Sequence, residues 1–135
     1  MTNYKQQAER WLKQAENDLA TAQALLDLKN FSGACFFSEQ SAQKSLKAFL
    51  IKNKQIRLSI HAIAELLEKS AIFDQSFLNL VDEGKVLDKY YLTTRYPDAL
   101  PDSSLAPFES YSKSEAEGAI KISQNIFNLC QQQIR

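Results

Sequence analysis

The chain has 135 residues, of which 44% are hydrophobic and 24% are charged. This length predicts one domain with a single core, and this composition is typical of a globular protein. Sixteen basic and sixteen acidic residues cancel, which excludes a net charge that would draw the whole protein to nucleic acid or an anionic membrane. No apolar run approaches the ~20 residues of a membrane span, and the N-terminus lacks the apolar segment of a signal peptide. We therefore expect a cytoplasmic protein that makes no contact with membranes.

The cysteine and histidine content limits the metal and disulfide chemistry. Cys35 and Cys130 are too few for a disulfide scaffold and have no metal-ligand spacing. The single histidine, His61, excludes a zinc site built from several histidines. The sequence therefore predicts two free core thiols, no metal site and no cofactor.

The first segment predicts a long amphipathic helix, because apolar side chains recur three or four positions apart. Asp18 lies at the edge of this apolar stripe, where a carboxylate is either solvated or paired with a cation. The stripe itself consists of Tyr4, Ala8, Trp11, Leu12, Ala15, Leu19, Ala22 and Leu26.

A second helix is expected from about residue 31 to residue 53, and apolar side chains cover much of its circumference. Such a helix is either central in a bundle or buried in a subunit interface. A polar stripe opposite its core stripe is formed by Gln40, Lys44 and Lys47. The apolar side chains that lie off the core stripe include Phe36, Phe37 and Ile51.

Two further helices are predicted before the first proline. A short one has Ser59 as a suitable N-cap and His61 in its first turn. A longer one begins at Asp74 or Ser76. It ends before Pro97, because proline disfavours helical geometry at the preceding residue.

The last helix follows a proline-containing loop over residues 96–111. Its N-cap is Ser112 or Ser114, each of which has a glutamate three residues later, as in a capping box. Four long helices plus a short one, joined mostly by short connections, predict an all-α, antiparallel up-and-down bundle. We expect this bundle to form a single domain over residues 4–134.

A local basic stretch stands out in this neutral chain, because no acidic residue occurs between Gln40 and Ala64. Phosphate is the natural ligand of such a cluster. The alternative is that these cations only offset a helix dipole and face solvent. The cations of the stretch are Lys44, Lys47, Lys52, Lys54 and Arg57.

Arg95 ends the predicted face of the fourth helix, which places it on the core side, where an uncompensated guanidinium would be costly. We therefore expect it to pair with a carboxylate, with Asp88, Asp98 or Asp18 as candidates, to bond to carbonyl groups at a helix end, or to hold a bound phosphate. The other members of that face are Phe77, Leu80, Val81, Gly84, Leu87 and Tyr91.

Several motifs, in this order and spacing, resemble those of the HEPN family of small helical bundles. The resemblance covers about residues 8–129. Its motifs are Trp11-Leu12-x-x-Ala15-x-x-Asp18-Leu19, Phe31-x-x-Ala34-Cys35-Phe36-x-x-Glu39-Gln40, Ala42-x-Lys44-x-Leu46-Lys47-Ala48, His61-x-Ile63-x-x-Leu66-Leu67 and Arg95-Tyr96-Pro97-Asp98.

The resemblance implies an antiparallel bundle of four or five helices, usually assembled as a homodimer and associated with nucleotides or RNA. Such proteins are often made beside a minimal nucleotidyltransferase, as a toxin–antitoxin-like pair. Active members are metal-independent endoribonucleases in which an arginine neutralises the scissile phosphate and a following histidine transfers protons.

This sequence departs from that catalytic pattern. Only three residues separate Arg57 from His61, fewer than in active members, and no histidine follows Arg95. Gln43 also replaces the acidic residue that is usual before the lysine of the second helix. The departures favour a binding component without strong catalysis. The ligand-binding residues we predict for a nucleotide or RNA are Lys44, Lys47, Arg95, Tyr96 and Asp98.

Two alternatives remain open at this point. One is a metal-independent endoribonuclease toxin that uses His61 with Arg57 or Arg95. The other is a purely homodimeric interaction module, whose contact surface would be the apolar side chains of Phe36, Phe37 and Ile51.

Overall fold

The computed structural model describes residues 3–55, 59–100 and 105–135, and within these ranges all regular structure is helical. The predicted all-α class is therefore confirmed. The α-helices are α1 (Tyr4–Asp27), α2 (Phe31–Lys52), α3 (Ile63–Ser70), α4 (Val81–Asp88), α5 (Tyr90–Thr93) and α6 (Lys113–Ile134). The 3₁₀ segments are Gln75–Leu80, Pro97–Ala99 and Pro107–Glu109.

The three long helices form the body of the bundle. Helix α1 runs antiparallel to α2 and to α6, so that the Arg135 guanidinium at the end of α6 reaches Glu16 at the middle of α1, at 3.6 Å. At the C-terminal end of α2 the Lys52 ammonium donates to the carbonyl oxygen of Gln133. Helices α2 and α6 therefore run in the same direction, and the segment between them returns the chain.

Helix α2 is central in the bundle, which confirms the first of the two interpretations of its apolar circumference. Small side chains let α1 approach it closely, and the Ser41 hydroxyl donates to the Ala15 carbonyl oxygen across that contact at 2.7 Å. Ile51 is only 6% exposed, and Phe36 and Phe37 are half-buried. The outward apolar surface predicted from these three residues is thus smaller than expected.

The predicted fourth helix is divided into the 3₁₀ segment Gln75–Leu80, then α4 and α5. The Asp74 side chain caps the 3₁₀ segment by accepting from the Ser76 N–H. Helix α4 packs tightly on α3, because a Cβ added to Gly84 would lie 2.6 Å from Leu67 Cδ1. Lys89 interrupts the helix between α4 and α5.

This interruption changes which side chains face the core. An uninterrupted helix would bury Tyr91, but in the structure Tyr90 is the buried residue, with only 5% of its surface exposed. Arg95 is exposed. The prediction that Arg95 faces the core is therefore wrong, because one helical period does not continue through Lys89.

Other local features agree with what the sequence predicts. Helix α6 begins after Ser112, whose hydroxyl accepts from the Glu115 N–H in the predicted capping box. Cys35 and Cys130 are free and buried, and burial raises the pKa of Cys35 to about 12. None of the helices in the three described ranges has the length and apolar character that crossing a membrane requires.

Candidate functional site

Asp88, the last residue of α4, determines where α3 begins. The N–H groups of Ile63 and Ala64 donate to its two carboxylate oxygens at 2.5 and 3.2 Å. The carboxylate thus caps a helix N-terminus that has no side-chain cap of its own, since Ala62 occupies the N-cap position. The predictions of Ser59 as N-cap and of His61 in the first turn are therefore wrong. His61 lies just before the helix.

Replacement of Asp88 by alanine should lower the free energy of unfolding by about 1–2 kcal/mol, the usual cost of losing an N-cap, because the N–H groups of Ile63 and Ala64 lose their acceptor. Urea unfolding measures this effect. Asp82→Ala is the matched control, because the Asp82 side chain is 98% exposed and lies 3.8 Å from Lys85. Equal unfolding midpoints for the two variants would contradict the capping role.

A row of polar side chains runs along the buried side of α2, one helical turn apart. The Gln43 amide nitrogen donates to the Glu39 carboxylate at 2.9 Å, and the Lys47 ammonium donates to the Gln43 amide oxygen at 3.0 Å. The Gln40 amide also donates to Glu39, at 3.1 Å. The row ends at His61 Nδ1, which lies 3.3 Å from the ammonium and 3.1 Å from the Gln43 oxygen. His61 therefore has a donor and an acceptor beside the same nitrogen.

Burial shifts the pKa values of two members of this row, Glu39 and Lys47. It raises the pKa of Glu39, only 1% exposed, from 4.5 to about 7, and the nearby Asp88 adds to the increase. Burial also lowers the pKa of Lys47, against the attraction of Glu39. Both shifts arise because a low-dielectric interior disfavours the charged form.

Among the described residues, aromatic rings and a backbone carbonyl oxygen hold the Arg95 guanidinium, and no carboxylate does. Its central carbon lies 4.7 Å from the ring centroid of Phe36, 5.3 Å from Tyr91 and 5.0 Å from Tyr96. Its Nη2 and Nε atoms donate to the Tyr91 carbonyl oxygen at 2.9 and 3.3 Å. Within the described part of the chain no carboxylate lies within 4.0 Å of it. Of the expected partners, a carbonyl group at the end of its helix is therefore confirmed. A carboxylate partner is absent from that part of the chain, where cation–π contacts take its place.

Tyr91 joins the predicted site residues to one another. Its ring stacks on His61, with centroids 5.7 Å apart and planes 10° apart, and it also contacts Arg95. The Lys47 ammonium contacts His61 Nδ1, and Tyr96, 51% exposed, contacts the guanidinium. We call Lys47, His61, Tyr91, Arg95 and Tyr96 the Arg95 cluster.

The other predicted site residues lie outside this cluster. The Lys44 ammonium bonds instead to the Asp18 carboxylate at 2.6 Å, which settles the predicted pairing of Asp18. Asp98 is exposed on the segment Pro97–Ala99, and among the described residues no ion pair joins it to Arg95. Arg57 lies outside the described residues.

The described cations of the basic stretch do not form one surface. Lys52 donates to the Gln133 carbonyl oxygen, Lys54 is exposed beyond the end of α2, and Lys44 and Lys47 bond to different partners. In the described ranges, no three potential metal-binding side chains converge.

Tyr91 and Glu39 are the members of the site that sequence reasoning missed. The helical period places Tyr91 in the core, although its position four residues before Arg95 is the spacing that brings two helical side chains together. Glu39 belongs to one of the family motifs, but its burial is indicated only by its place one turn before Gln43 on a helix rich in apolar residues.

The helical bundle and the sequence motifs on its helices can be compared with known protein families. The sequence profile of the HEPN domain matches residues 8–133. The chain therefore belongs to the HEPN family.

Solved structures and a curated relative agree with this assignment. TT1696 from Thermus thermophilus is 36% identical, with a TM-score of 0.86 over 93% of this chain and 97% of that one. ST0689, an archaeal HEPN homologue, is 32% identical, with a TM-score of 0.76 over 95% and 98% of the two chains. The toxin candidate MJ1304 of Methanocaldococcus jannaschii is 27% identical over 130 residues, which cover 90% of this chain and 84% of that protein.

Proposed function

We propose that this HEPN protein is a toxin-like component that binds a nucleotide or RNA at the Arg95 cluster, without strong catalysis of its own. The observation that carries the proposal is the exposed guanidinium of Arg95, held on three aromatic rings. The similarity to the toxin candidate of Methanocaldococcus jannaschii supports the toxin-like role.

The chemistry of the cluster suits a nucleotide. A guanidinium has five N–H donors in a planar fork that matches phosphate. Two of the Arg95 nitrogens bond to the Tyr91 carbonyl oxygen, and donors remain for an anion. His61 and Tyr96 are exposed aromatic residues of the same cluster, and exposed aromatic faces are the surfaces on which unpaired bases stack.

The proposal includes two partners that the HEPN resemblance implies. One is a second copy of this chain, in a homodimer. The other is a minimal nucleotidyltransferase, which would act with this protein as a toxin–antitoxin-like pair. Calorimetry with short RNA and nucleotides, with and without such a partner, tests the whole proposal. An intact dimer that gives no heat in any combination would defeat it.

Arg95→Gln should weaken the binding of a short labelled single-stranded RNA about tenfold, and it should lower the slope of log affinity against log salt by about one. Fluorescence anisotropy at several salt concentrations measures both quantities. Lys121→Gln is the matched control, because Lys121 is an exposed cation on α6. An unchanged salt slope in Arg95→Gln would show that this guanidinium does not contact phosphate.

A metal-independent endoribonuclease is the second candidate, because Tyr91 brings His61 and Arg95 to one surface. The RNA from the binding experiment distinguishes the two functions after incubation in chelator. Intact RNA is expected for a binding component. Cleavage that the His61→Ala variant lacks would favour the enzyme instead, since proton transfer would then depend on the imidazole.

A further inference from the structure

One face of α1 opens onto a groove of about 510 Å³ that includes no residue of the Arg95 cluster. Side chains from nearly two turns of α1 line it, and α2 contributes one lysine. The lining residues are Gln7, Arg10, Trp11, Lys13, Gln14 and Lys44.

The groove is positively charged within a neutral protein. None of its lining residues is acidic, and three are cations. The nearest carboxylate in contact with them is Asp18, only 3% exposed, which bonds to Lys44 at 2.6 Å and to the Gln14 amide at 3.0 Å. Asp18 thus compensates Lys44. In the part of the chain that the structure describes, no ion pair engages Arg10 or Lys13.

Trp11 provides the aromatic surface of the groove. The sequence placed it in the apolar stripe of α1, but the side chain is 40% exposed, because the core is reached by Ala8, Leu12 and Ala15 instead. The partly exposed indole therefore lines the same groove as Arg10, Lys13 and Lys44. Base stacking on aromatic rings, combined with cations along a phosphate, is the chemistry by which proteins hold unpaired nucleotides.

We infer that this groove is a binding site for a nucleoside phosphate. The base stacks on Trp11, the phosphate lies between Arg10 and Lys13, and the Gln7 amide, with a donor and an acceptor, faces the edge of the base. The nucleoside phosphate is either a free mononucleotide or one unit of a single-stranded RNA. The inference extends beyond the proposed function, because it does not require the Arg95 cluster to bind anything.

Trp11 is the only tryptophan of the chain, so intrinsic fluorescence reports on this groove directly. Adenosine monophosphate, a short single-stranded RNA and inorganic phosphate are titrated separately into the full chain. Saturable quenching by the nucleotide or by the RNA is expected. The ligand that binds with the higher affinity shows whether the site takes a free mononucleotide or one unit of an RNA. Absence of quenching by both, or phosphate alone quenching as tightly as either, would overturn the inference.

The variant that tests the cations carries Arg10→Gln and Lys13→Gln together, and both residues are exposed. It should weaken the quenching at least about tenfold, because two phosphate contacts are lost. Lys5→Gln is the matched control, an exposed cation of α1 outside the groove. Circular dichroism verifies that each variant is folded. Quenching of equal affinity in the double variant and the wild type would contradict the site.

The two sites fail independently. Arg95→Gln should leave the Trp11 quenching intact. If labelled RNA binds with dependence on Arg95 while Trp11 stays unquenched, the groove is wrong and the proposed function stands. If Trp11 is quenched with dependence on Arg10 and Lys13 while Arg95→Gln binds RNA as the wild type does, the reverse holds.

Discussion

Replacement of Glu39 by glutamine should stabilise the protein above pH 7 by about 3 kcal/mol and leave it nearly unchanged near pH 4.5. Burial raises the pKa of this carboxyl from 4.5 to about 7, and one pKa unit corresponds to about 1.4 kcal/mol. Between these two pH values the folded state retains a proton that the unfolded chain has lost. The stability of the wild type therefore falls as pH rises through that window, and the contribution is lost above it.

The measurement is the free energy of unfolding in urea at several pH values from 4.5 to 9. Glutamine has nearly the shape of glutamate, and its oxygen accepts from Gln40 and Gln43 as Glu39 does. Glu68→Gln is the matched control, because Glu68 is an exposed residue of α3. Parallel pH profiles for the wild type and Glu39→Gln would contradict a buried carboxyl with a raised pKa.

The same titration bears on the proposed ligand. Once Glu39 is ionised, its charge attracts Arg95 and Lys47 and partly compensates them, so the field that an incoming anion experiences becomes less positive. RNA affinity of the wild type should thus fall between pH 6 and pH 8, and Glu39→Gln should retain more of it. This consequence depends on the proposed function, whereas the stability effect does not.

The bundle could be predicted from the sequence because its long helices carry their own signals. The stripes of α1 and α6 and the caps at Asn3, Asn30 and Ser112 are local features. The segment from Ser59 to Arg95 could not be predicted in the same way. The cap of α3 comes from Asp88, 25 residues further along the chain, and no local sequence pattern indicates such a contact.

The candidate site was predicted in part, and the errors share a geometric cause. Residues three apart on a helix differ by about 60° in direction, so Lys44 faces Asp18 on α1 while Lys47 faces His61. One interruption at Lys89 likewise turned Arg95 outward. Sequence reasoning identified the chemically important residue types. The sequence alone could not predict which residues these side chains contact, because the contacts depend on rotations about the helix axis that are smaller than one turn.

Lys47→Met should lower the affinity for short RNA about ten- to a hundredfold while leaving the fold as stable as the wild type or more stable. Lys47 is 5% exposed, and its hydrogen-bond partners, Gln43 and the His61 ring, carry no negative charge. This poorly hydrated ammonium acts on a bound anion through space, and two charges about 4 Å apart attract each other by about 1–4 kcal/mol near a protein surface. Methionine has a similar length and removes the cost of burying the charge.

Lys44→Met is the matched comparison, since it removes a lysine one turn away on the same helix. There the loss leaves the Asp18 carboxylate, with its side chain 4% exposed, without a cation, and a buried charge that has lost its partner is strongly destabilising. We therefore expect urea unfolding to separate the two variants in opposite directions. Anisotropy with labelled RNA then shows whether the more stable one has lost its ligand. Unchanged affinity in Lys47→Met would mean that this ammonium serves only the packing of α2 against His61. The opposite result would mean that the chain retains a buried cation, at a cost in stability, because its ligand is an anion.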